Sequence, residues 1–302
     1  MNRRQVLIGG GAVAAVGATM TFVGMRQMGS ASEYDDAART IRARLAMQPE
    51  ARDFIRFAAL APNGHNTQPW RFAIAPRRIS VLPDFSRRTP VVDPDDHHIF
   101  VSLGCAAENL VIAAAARGYI GEPIFNSAND GSIEFAYGDA PPVASTLFDA
   151  ISVRQSTRAN YDGRAVSSAD LKTLADASAV PGVATVLVTD RTQMDRIRDL
   201  VLTGTSAQMS DAAFVRELKS WLRFSPRQAE RTGDGLYSVT TGNPALPDWL
   251  GALFFDLLVS AKSENEKYAS QLRSSAGLAV FVGAEENREH WTRVGRACQR
   301  FA

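Results

Sequence analysis

The sequence predicts an α+β fold in which a largely antiparallel sheet is flanked by helices. Two short strand patterns, at residues 71–74 and 79–82, flank a turn that contains Pro76, as expected for a pair of adjacent strands. Before them, the segment 50–60 places its apolar residues on one face, which is typical of a helix. The later part of the chain again alternates helix and strand patterns, as a layered α+β architecture requires.

Residues 32–142 are predicted to form a first half. Its elements are helices at 33–45 and 50–60, the two short strands, a long helix that continues through 104–116, and a strand at 133–137. Pro62 and Gly64 interrupt the second helix and open a loop, because both residues break helical geometry. Pro141 and Pro142 mark the boundary with the second half.

The long helix is predicted to begin in the segment Asp93-Pro94-Asp95-Asp96-His97-His98. Asp93 suits the N-cap, Pro94 suits the first helical position, and the next two carboxylates complement the helix dipole. A metal site is the alternative. We predict no metal here, because adjacent histidines on a helix should point apart and no further ligand set surrounds them.

Residues 143–302 are predicted to form the second half. Its elements are a helix from about 143 into Arg154, a helix at 171–177 that a capping box at Ser167 opens, a buried strand at 185–188, a strand at 278–282 and a helix at 291–302. A segment at about 204–263 has no counterpart in the first half. Long insertions of this kind are often lids or binding loops, and additional helical packing is the alternative.

Composition excludes several classes of protein. With 302 residues, 45% of them hydrophobic and 22% charged, the chain has the composition of a globular protein. A formal net charge of +1 provides no electrostatic footprint for nucleic acid. Cys105 and Cys298 have no partner motif, so we interpret both as small buried hydrophobes without a redox or metal role.

Residues 1–31 resemble a twin-arginine export signal. Arg3-Arg4 precede an uncharged stretch at 6–25, and small residues at 29–31 suit cleavage after Ala31. An uncleaved membrane anchor of this length is one alternative. A Rossmann turn at 9–14 is another, although it lacks the acidic residue expected about 20 positions later. Export by the twin-arginine machinery would place the protein in the periplasm or on the outer face of the inner membrane.

Two short motifs carry the functional signal. Residues 63–70 read Asn-Gly-His-Asn-Thr-Gln-Pro-Trp, and residues 154–161 read Arg-Gln-Ser-Thr-Arg-Ala-Asn-Tyr. Together they resemble the flavin-site signature of the nitroreductase-like flavoproteins, which pairs an Arg-x-Ser-x-Arg element with an Asn-x-Gln-Pro-Trp element. The resemblance implies a nitroreductase-like fold and bound FMN.

The two motifs stand in the reverse of the family's order, which implies two fused, degenerate halves. In the family the elements meet across a homodimer interface, so a fused pair would complete one site within one chain. A weak repeat agrees, since Gly104 and Ala106 align with Gly295 and Ala297. We therefore expect an intrachain pseudo-dimer that is monomeric in solution. The sequence ends within the last helix, so we expect the family's basic C-terminal arm to be missing.

The resemblance also implies the cofactor contacts of the second motif. Arg154, with Gln155 and Ser156 beside it, would bind the FMN phosphate, because a planar guanidinium suits bidentate capture. Arg158 lies one helical turn further and would reach the ribityl chain or the N1/O2 edge of the ring. A solvated helix face is the alternative for the two arginines.

In the first motif, the resemblance implies that Asn63 and Asn66 donate to ring or ribityl oxygens. Gly64 would let the backbone approach closely, and Pro62 would pack against the ring. Gln68, Pro69 and Trp70 would fix the loop, with Trp70 in the core. Ordinary turn formation is the alternative for the Asn and Gly residues.

Two functions remain open from the sequence. The first is an FMN-dependent oxidoreductase of the nitroreductase type, with NAD(P)H as donor and a nitroaromatic or quinone-like small molecule as acceptor. Such chemistry needs no side-chain acid or base, so we predict no catalytic residue, and His65 is either near the substrate or a solvent-facing bystander. The second is a non-catalytic protein that sequesters FMN beneath the segment 204–263. A third hypothesis is a protein that keeps the fold but no longer binds flavin.

Overall fold

Helices and antiparallel strands alternate along residues 28–302, the part of the chain that this computed structural model describes. The helices are α1 (Ala31–Ile41), α2 (Ala51–Ala58), α3 (His97–Ala115), α4 (Thr146–Ile151), α5 (Ser168–Ala177), α6 (Arg191–Ser210), α7 (Ala212–Ser220), α8 (Pro226–Thr232), α9 (Asp248–Leu258), α10 (Ala261–Ser274) and α11 (Arg288–Phe301). The strands are β1 (Trp70–Ala75), β2 (Arg78–Pro83), β3 (Tyr119–Ile120), β4 (Pro123–Asn126), β5 (Ser132–Ala136), β6 (Gly138–Asp139), β7 (Val183–Val188), β8 (Leu222–Arg223), β9 (Leu236–Tyr237) and β10 (Leu278–Gly283). The predicted α+β class is confirmed. The predicted export signal lies almost entirely outside the described residues.

The core of the protein surrounds α3. This helix is apolar on nearly all sides, which predicts burial rather than a surface position. Phe100, Leu103 and Leu110 of α3 are fully buried, and Phe54 and Phe57 of α2 pack into the same cluster. Among the described residues, α3 is the one helix long and apolar enough to cross a membrane. Because 78% of that stretch is buried inside the protein, core packing accounts for its hydrophobicity.

A four-stranded antiparallel sheet in the order β1-β2-β5-β4 packs against α3. Strands β1 and β2 form the predicted pair, with Trp70 opposite Pro83 and Ala75 opposite Arg78. Arg77 closes the turn at φ +55°. Ile79 and Val81 alternate with exposed or half-buried neighbours and are themselves completely buried, which is the period-two pattern of a strand with one face on the core.

A second sheet contains only β7 and β10, paired antiparallel from Leu278 opposite Val188 to Gly283 opposite Val183. Both strands were predicted, and their existence is confirmed. The prediction that 185–188 is a buried strand is wrong, because Val186 is 46% exposed and Val280 on the partner strand is 41% exposed. In a two-stranded sheet with helices on one side, the other face remains open to solvent.

The two helices of the sequence repeat, α3 and α11, cross in direct backbone contact at two glycines. A methyl group added at Gly104 would overlap the carbonyl oxygen of Thr292, and one added at Gly295 would overlap the carbonyl oxygen of Val101. Thr292 precedes Gly295 by the same three positions by which Val101 precedes Gly104. The contact is therefore reciprocal, as in an interface related by a two-fold axis.

Two predicted helix boundaries are wrong. Helix α4 ends at Ile151 and does not continue into Arg154, because the Arg42 guanidinium binds the carbonyl oxygens of Ser152 and Arg154, each at 2.9 Å. Residues 154–167 form neither helix nor strand. Arg158 therefore does not share a helical face with Arg154.

The second wrong boundary is the start of α3, which begins at His97 rather than at Pro94. Asp96 occupies the N-cap position in the left-handed region, at φ +61°. Asp93 still satisfies a free backbone N–H of the helix, since its Oδ2 accepts from His98 N at 2.9 Å. Asp93 therefore caps the first turn of α3 although it lies outside the helix.

The segment 204–263 is mostly helical, and its predicted start falls inside α6. It contains α7, α8, α9 and the short parallel pair β8 and β9, with Leu222 opposite Leu236. Helix α10 follows and packs along α6.

Candidate functional site

The loop of the first motif, residues 62–69, has an unusual backbone. His65, Asn66 and Gln68 have φ values of +47°, +52° and +54°, a region that non-glycine residues seldom adopt. The Asn63 side chain maintains this shape. Its Oδ1 accepts from Gln68 N at 2.9 Å, and its Nδ2 donates to Ala61 O at 3.2 Å. Strained backbone of this kind often occurs at binding sites.

Trp70 anchors the end of this loop in the core, as predicted, with 7% of its surface exposed. The Gln68 amide donates to Asn66 Oδ1 at 2.8 Å. Asn66 Nδ2 in turn donates to Gly235 O at 3.0 Å, and Gly235 N donates to Asn66 O at 2.8 Å. The amides of Asn63 and Asn66 are thus engaged with protein groups, and Asn66 fastens the motif loop to the segment 204–263.

An ion-pair network strengthens the same attachment. Asp234 accepts from Arg87 and from Arg223, each at 2.7 Å, while Arg87 also donates to Thr67 O of the motif loop at 2.8 Å. Burial acts to raise the pKa of Asp234, but the hydrogen bonds from Arg223 and Arg87 outweigh it and the pKa is lowered. The carboxylate therefore remains charged and connects the segment 204–263 to Arg87.

Arg154 of the second motif is half-buried beside the motif loop. One terminal nitrogen donates to Leu60 O at 2.8 Å, while Nε is buried and has no hydrogen-bond partner among residues 28–302. Burial lowers the pKa of Arg154, and the neighbouring positive charge of Arg42 lowers it further. Gln155 and Ser156 are exposed. The arginine is thus a cation with an unused donor.

Arg158 faces a different space, a cavity of about 340 Å³. His65 of the first motif also lines this cavity, so the two motifs supply one wall residue each. Most of the remaining wall comes from the segment 204–263, including the apolar side chains of Phe214, Leu218, Phe224, Leu246, Phe254 and Phe255. Pro62, Asn63, Gly64 and Asn66 are not among the residues that line it.

The cavity also contains polar groups suited to orienting a ligand. Ser238 is 4% exposed, and its hydroxyl has no hydrogen-bond partner within the part of the chain that the structure describes. Lys267 pairs with Glu264 at 2.7 Å, and Gln271 donates to Arg158 O at 2.6 Å. An apolar space with a few convergent polar groups is the usual form of a small-molecule site.

His65 is held in its neutral form. Burial lowers its pKa, Glu217 opposes this effect, and the charges of His98 and Arg158 add to the lowering. A neutral imidazole offers one donor and one acceptor nitrogen. His65 is half-buried and lines the cavity, so its side chain does not simply face solvent.

Sequence reasoning missed the contribution of α10. Glu264, Lys267, Tyr268 and Gln271 all line the cavity. Their spacing of i, i+3, i+4 and i+7 places them on one helical face, and this polar stripe was the available signal. Ser238 had no comparable signal, because only its tertiary position makes it unusual.

Asp93, His97 and His98 lie closer together than predicted. One donor atom from each lies within 4.8 Å of the others, and the two imidazole rings are 5.1 Å apart. The expectation that the adjacent histidines point apart is therefore wrong. Asp93 Oδ1 lies 3.1 Å from His98 Nδ1, so a hydrogen bond within the protein accounts for part of the cluster.

Comparison with known proteins gives one consistent result. No protein-family model matches the chain. Two curated proteins from strains of Mycobacterium tuberculosis, each named "Putative NAD(P)H nitroreductase", are 28% identical to it over 177 residues. The match covers 56% of this chain and 50% of each relative, so the chain spans about half the length of the curated relatives it matches. The similarity supports a nitroreductase-like family.

Proposed function

We propose that this chain is an FMN-dependent oxidoreductase of the nitroreductase type. The observation that carries the proposal is that His65 and Arg158, one from each half of the flavin-site signature, line the same cavity. The similarity to proteins named as NAD(P)H nitroreductases supports the same class of reaction. The proposed electron donor is NAD(P)H, and the proposed acceptor is a nitroaromatic or quinone-like small molecule.

The residues present fit such a cofactor in two places. Arg154 offers a buried Nε without a partner, and Ser238 offers a buried hydroxyl without a partner. Buried polar atoms without partners are rare and costly, so both positions suit a polar ligand group. We propose Arg154, with Gln155 and Ser156, as the phosphate contact and Arg158 as the contact to the ribityl chain or ring edge. Pro62, Asn63, Gly64 and Asn66 remain proposed contacts of the first motif.

When bound, the flavin would supply the hydride chemistry that amino-acid side chains lack. The chain's own residues bind, orient and shield. The permanent charge of Arg158 stabilises negative charge in the cavity. The aromatic wall formed by Phe214, Phe254 and Phe255 excludes water and offers flat apolar surfaces to a ring. His65, neutral at pH 7, presents one nitrogen that donates and one that accepts a proton.

We also propose that the two halves form an intrachain pseudo-dimer. The reciprocal contact of Gly104 with Thr292 and of Gly295 with Val101 supports it, because a two-fold interface repeats each contact with the partners exchanged. A pseudo-dimer satisfies this interface internally, so the expected state in solution is a monomer. Small-angle scattering that gave a dimer built on the α3–α11 contact would contradict the proposal.

A second function is favoured by one observation, the extent to which the segment 204–263 encloses the cavity. Most of the wall residues belong to it, and Asp234 and Gly235 attach it to the motif loop. A segment held in this way would shield a flavin from a hydride donor. The alternative is therefore a non-catalytic protein that sequesters FMN.

The visible spectrum of the full chain separates these functions. Purified protein is mixed with FMN, freed of excess ligand, and treated with NADPH without oxygen. A retained flavin band that bleaches supports the oxidoreductase, and a retained band that persists supports sequestration. Loss of the band during removal of excess FMN would contradict both. Arg154→Ala should weaken FMN binding by at least about tenfold, the loss of roughly 1.4 kcal/mol of charge-assisted contact. Arg164→Ala is the matched control, because Arg164 is 87% exposed and pairs only with Asp162 among the described contacts.

We propose that residues 1–31 direct export by the twin-arginine machinery. The pair Arg3-Arg4 and the uncharged stretch after it support this proposal. Replacing both arginines with lysine keeps the positive charge while removing the arginine pair. The expected result is retention of the protein in the cytoplasmic fraction. Unchanged delivery of the double variant to the periplasm or membrane would contradict the proposal.

A further inference from the structure

The two cysteines of the chain meet at the crossing of α3 and α11. Cys105 follows Gly104 in α3, and Cys298 lies one turn beyond Gly295 in α11, so the close glycine contact brings their backbones together. Cys105 is 2% exposed and its thiol lies 3.1 Å from the carbonyl oxygen of Gly295. Cys298 lies beside it, near enough for each thiol to shift the pKa of the other, and is partly accessible.

The surroundings of the two sulfurs make them chemically unequal. The adjacent Cys105 thiol lowers the pKa of Cys298 to about 7 against the opposing effect of burial, and the charge of Arg154 lowers it further. The interaction with Cys298 and complete burial raise the pKa of Cys105. Near neutral pH, a large fraction of Cys298 is thus thiolate, the nucleophilic form, while Cys105 stays protonated beside it.

We propose that Cys105 and Cys298 are a dithiol–disulfide pair that reversibly cross-links α3 to α11. Three observations carry this inference: the Cys105 thiol lies against the backbone of α11 one turn before Cys298, the backbones of the two helices approach closely, and Cys298 is partly accessible. It replaces the interpretation of both residues as passive hydrophobes. The two cysteines are 193 positions apart in the sequence (298 − 105). The cross-link would therefore join the two predicted halves of the chain.

The reaction requires an oxidant, and a low-molecular-weight disulfide such as oxidised glutathione supplies it. The Cys298 thiolate attacks one sulfur of glutathione disulfide and releases one glutathione thiolate, which leaves a mixed disulfide. Cys105 then loses its proton and attacks the Cys298 sulfur, which releases the second glutathione thiolate. Two protein thiols are oxidised, one glutathione disulfide is reduced to two thiols, and the steps reverse in excess reduced glutathione.

The test equilibrates the full chain in buffers with a graded ratio of reduced to oxidised glutathione. Acid quenching, denaturation, alkylation and mass spectrometry then count the free thiols. In oxidising buffer we expect both alkylation sites to disappear together, the mass to fall by two hydrogens, and a peptide that links residues 105 and 298 to appear. Two freely alkylated cysteines, or a glutathione adduct that persists on Cys298, would overturn the proposal.

Two controls separate the pair from ordinary thiol reactivity. In Cys105→Ala, Cys298 lacks its resolving partner and should retain the glutathione adduct. The pH midpoint of Cys298 alkylation, expected near pH 7 in the native protein, should move upward in this variant because the neighbouring thiol that lowers the pKa of Cys298 is gone. An unchanged midpoint would argue against the pairing. In denaturant, the wild-type chain should need more oxidising buffer for the same cross-link, and equal oxidation in the unfolded state would also count against it.

Discussion

The core around α3 and the region around the cavity contain similar apolar residues, but these residues differ in how far they are buried. Phe100, Leu103 and Leu110 of α3 are completely buried. In α9, beside the cavity, Leu253 is 55% exposed and Leu257 is 72% exposed, while Phe254 and Phe255 line the cavity itself. The first region is a close-packed framework. The second has the lower density of apolar contacts that allows local opening and the admission of ligands.

The largest expected effect is on the buried carboxylate of the framework. Glu108 is completely buried and accepts from Arg296 at 2.7 Å and from Arg300 at 2.8 Å. Glu108→Gln removes the counter-charge of Arg300 and leaves Arg296 with Glu122 as its carboxylate partner. Because uncompensated charge in a core is strongly unfavourable, we expect a loss of about 3 kcal/mol in the free energy of unfolding, measured by urea denaturation.

The matched control for Glu108 is an exposed ion pair. Lys172 is 75% exposed and pairs with Asp176, so Lys172→Gln should change the free energy of unfolding by less than about 1 kcal/mol. Equal effects of the two variants would show that the α3–α11 ion pairs are not part of the framework.

The second prediction compares two helical glycines. Gly295→Ala forces a methyl group onto the Val101 carbonyl and should cost about 1–3 kcal/mol, since overpacked cores shift their backbones. Gly204 lies within α6 with nothing near its missing side chain. Gly204→Ala should therefore be stabilising by up to about 1 kcal/mol, because alanine is the better helix former. Effects of the same sign in thermal unfolding would invalidate the comparison.

A third prediction concerns the attachment of the cavity region to the framework. Asp234→Ala removes the partner of Arg87 and Arg223, and leaving the nearly buried Arg223 unpaired should cost about 1–3 kcal/mol locally. Limited proteolysis should then cut within residues 204–263 faster than in the wild type, while the urea midpoint of the framework moves little. Asp176→Ala is the control. Cleavage spread over the whole chain would indicate global destabilisation instead.

Acidification should weaken the same attachment. Because the pKa of Asp234 is lowered in the folded state, its contribution is present above its unfolded value near 3.8 and is lost as the pH falls through the folded pKa. Protection of the segment 204–263 against acid-tolerant proteases should therefore decline below about pH 4. The Asp234→Ala variant should lack this pH dependence.

The smallest expected effects are the opposite pH slopes of two neighbouring histidines. Burial lowers the pKa of His65, so its contribution to stability is present above pH 6.5 and is lost as the pH falls through the folded pKa. The hydrogen bond to Asp93 raises the pKa of His98, so its contribution is present below pH 6.5 and is lost as the pH rises. Unfolding of His65→Gln and His98→Gln between pH 5 and 8 measures both. Slopes of the same sign would contradict this assignment.

The sequence predicted the parts of the molecule that local patterns determine. The period-two pattern at Ile79 and Val81 and the turn at Pro76 lie within a few residues, so β1 and β2 were found with nearly correct ends. The long, largely apolar helix α3 was also predicted from its local sequence. The end of α4 was missed because Arg42, more than a hundred positions away, binds the carbonyl of Ser152. No window of local sequence contains that contact.

The candidate site shows the same division. The two motifs predicted a ligand site, and one residue of each, His65 and Arg158, lines the same cavity. That a ligand binds there stays a prediction. Neither motif indicated that Arg154 would bind Leu60 O or that Asn66 would bind Gly235. Both contacts join residues that are far apart in the sequence, 94 positions for Arg154 and Leu60 and 169 for Asn66 and Gly235, so they depend on the whole fold.

The ion pairs of Glu108 also affect how the chain reaches its structure. Their partners lie 188 and 192 positions later in the sequence, and contacts of such long range slow folding, since a large loop must close first. During synthesis, α3 therefore emerges with a carboxylate that has no cation beside it and with apolar faces that α11 does not yet cover. Chains at this stage are prone to aggregation. Nascent α3 therefore stays an exposed apolar segment until α11 has been synthesised.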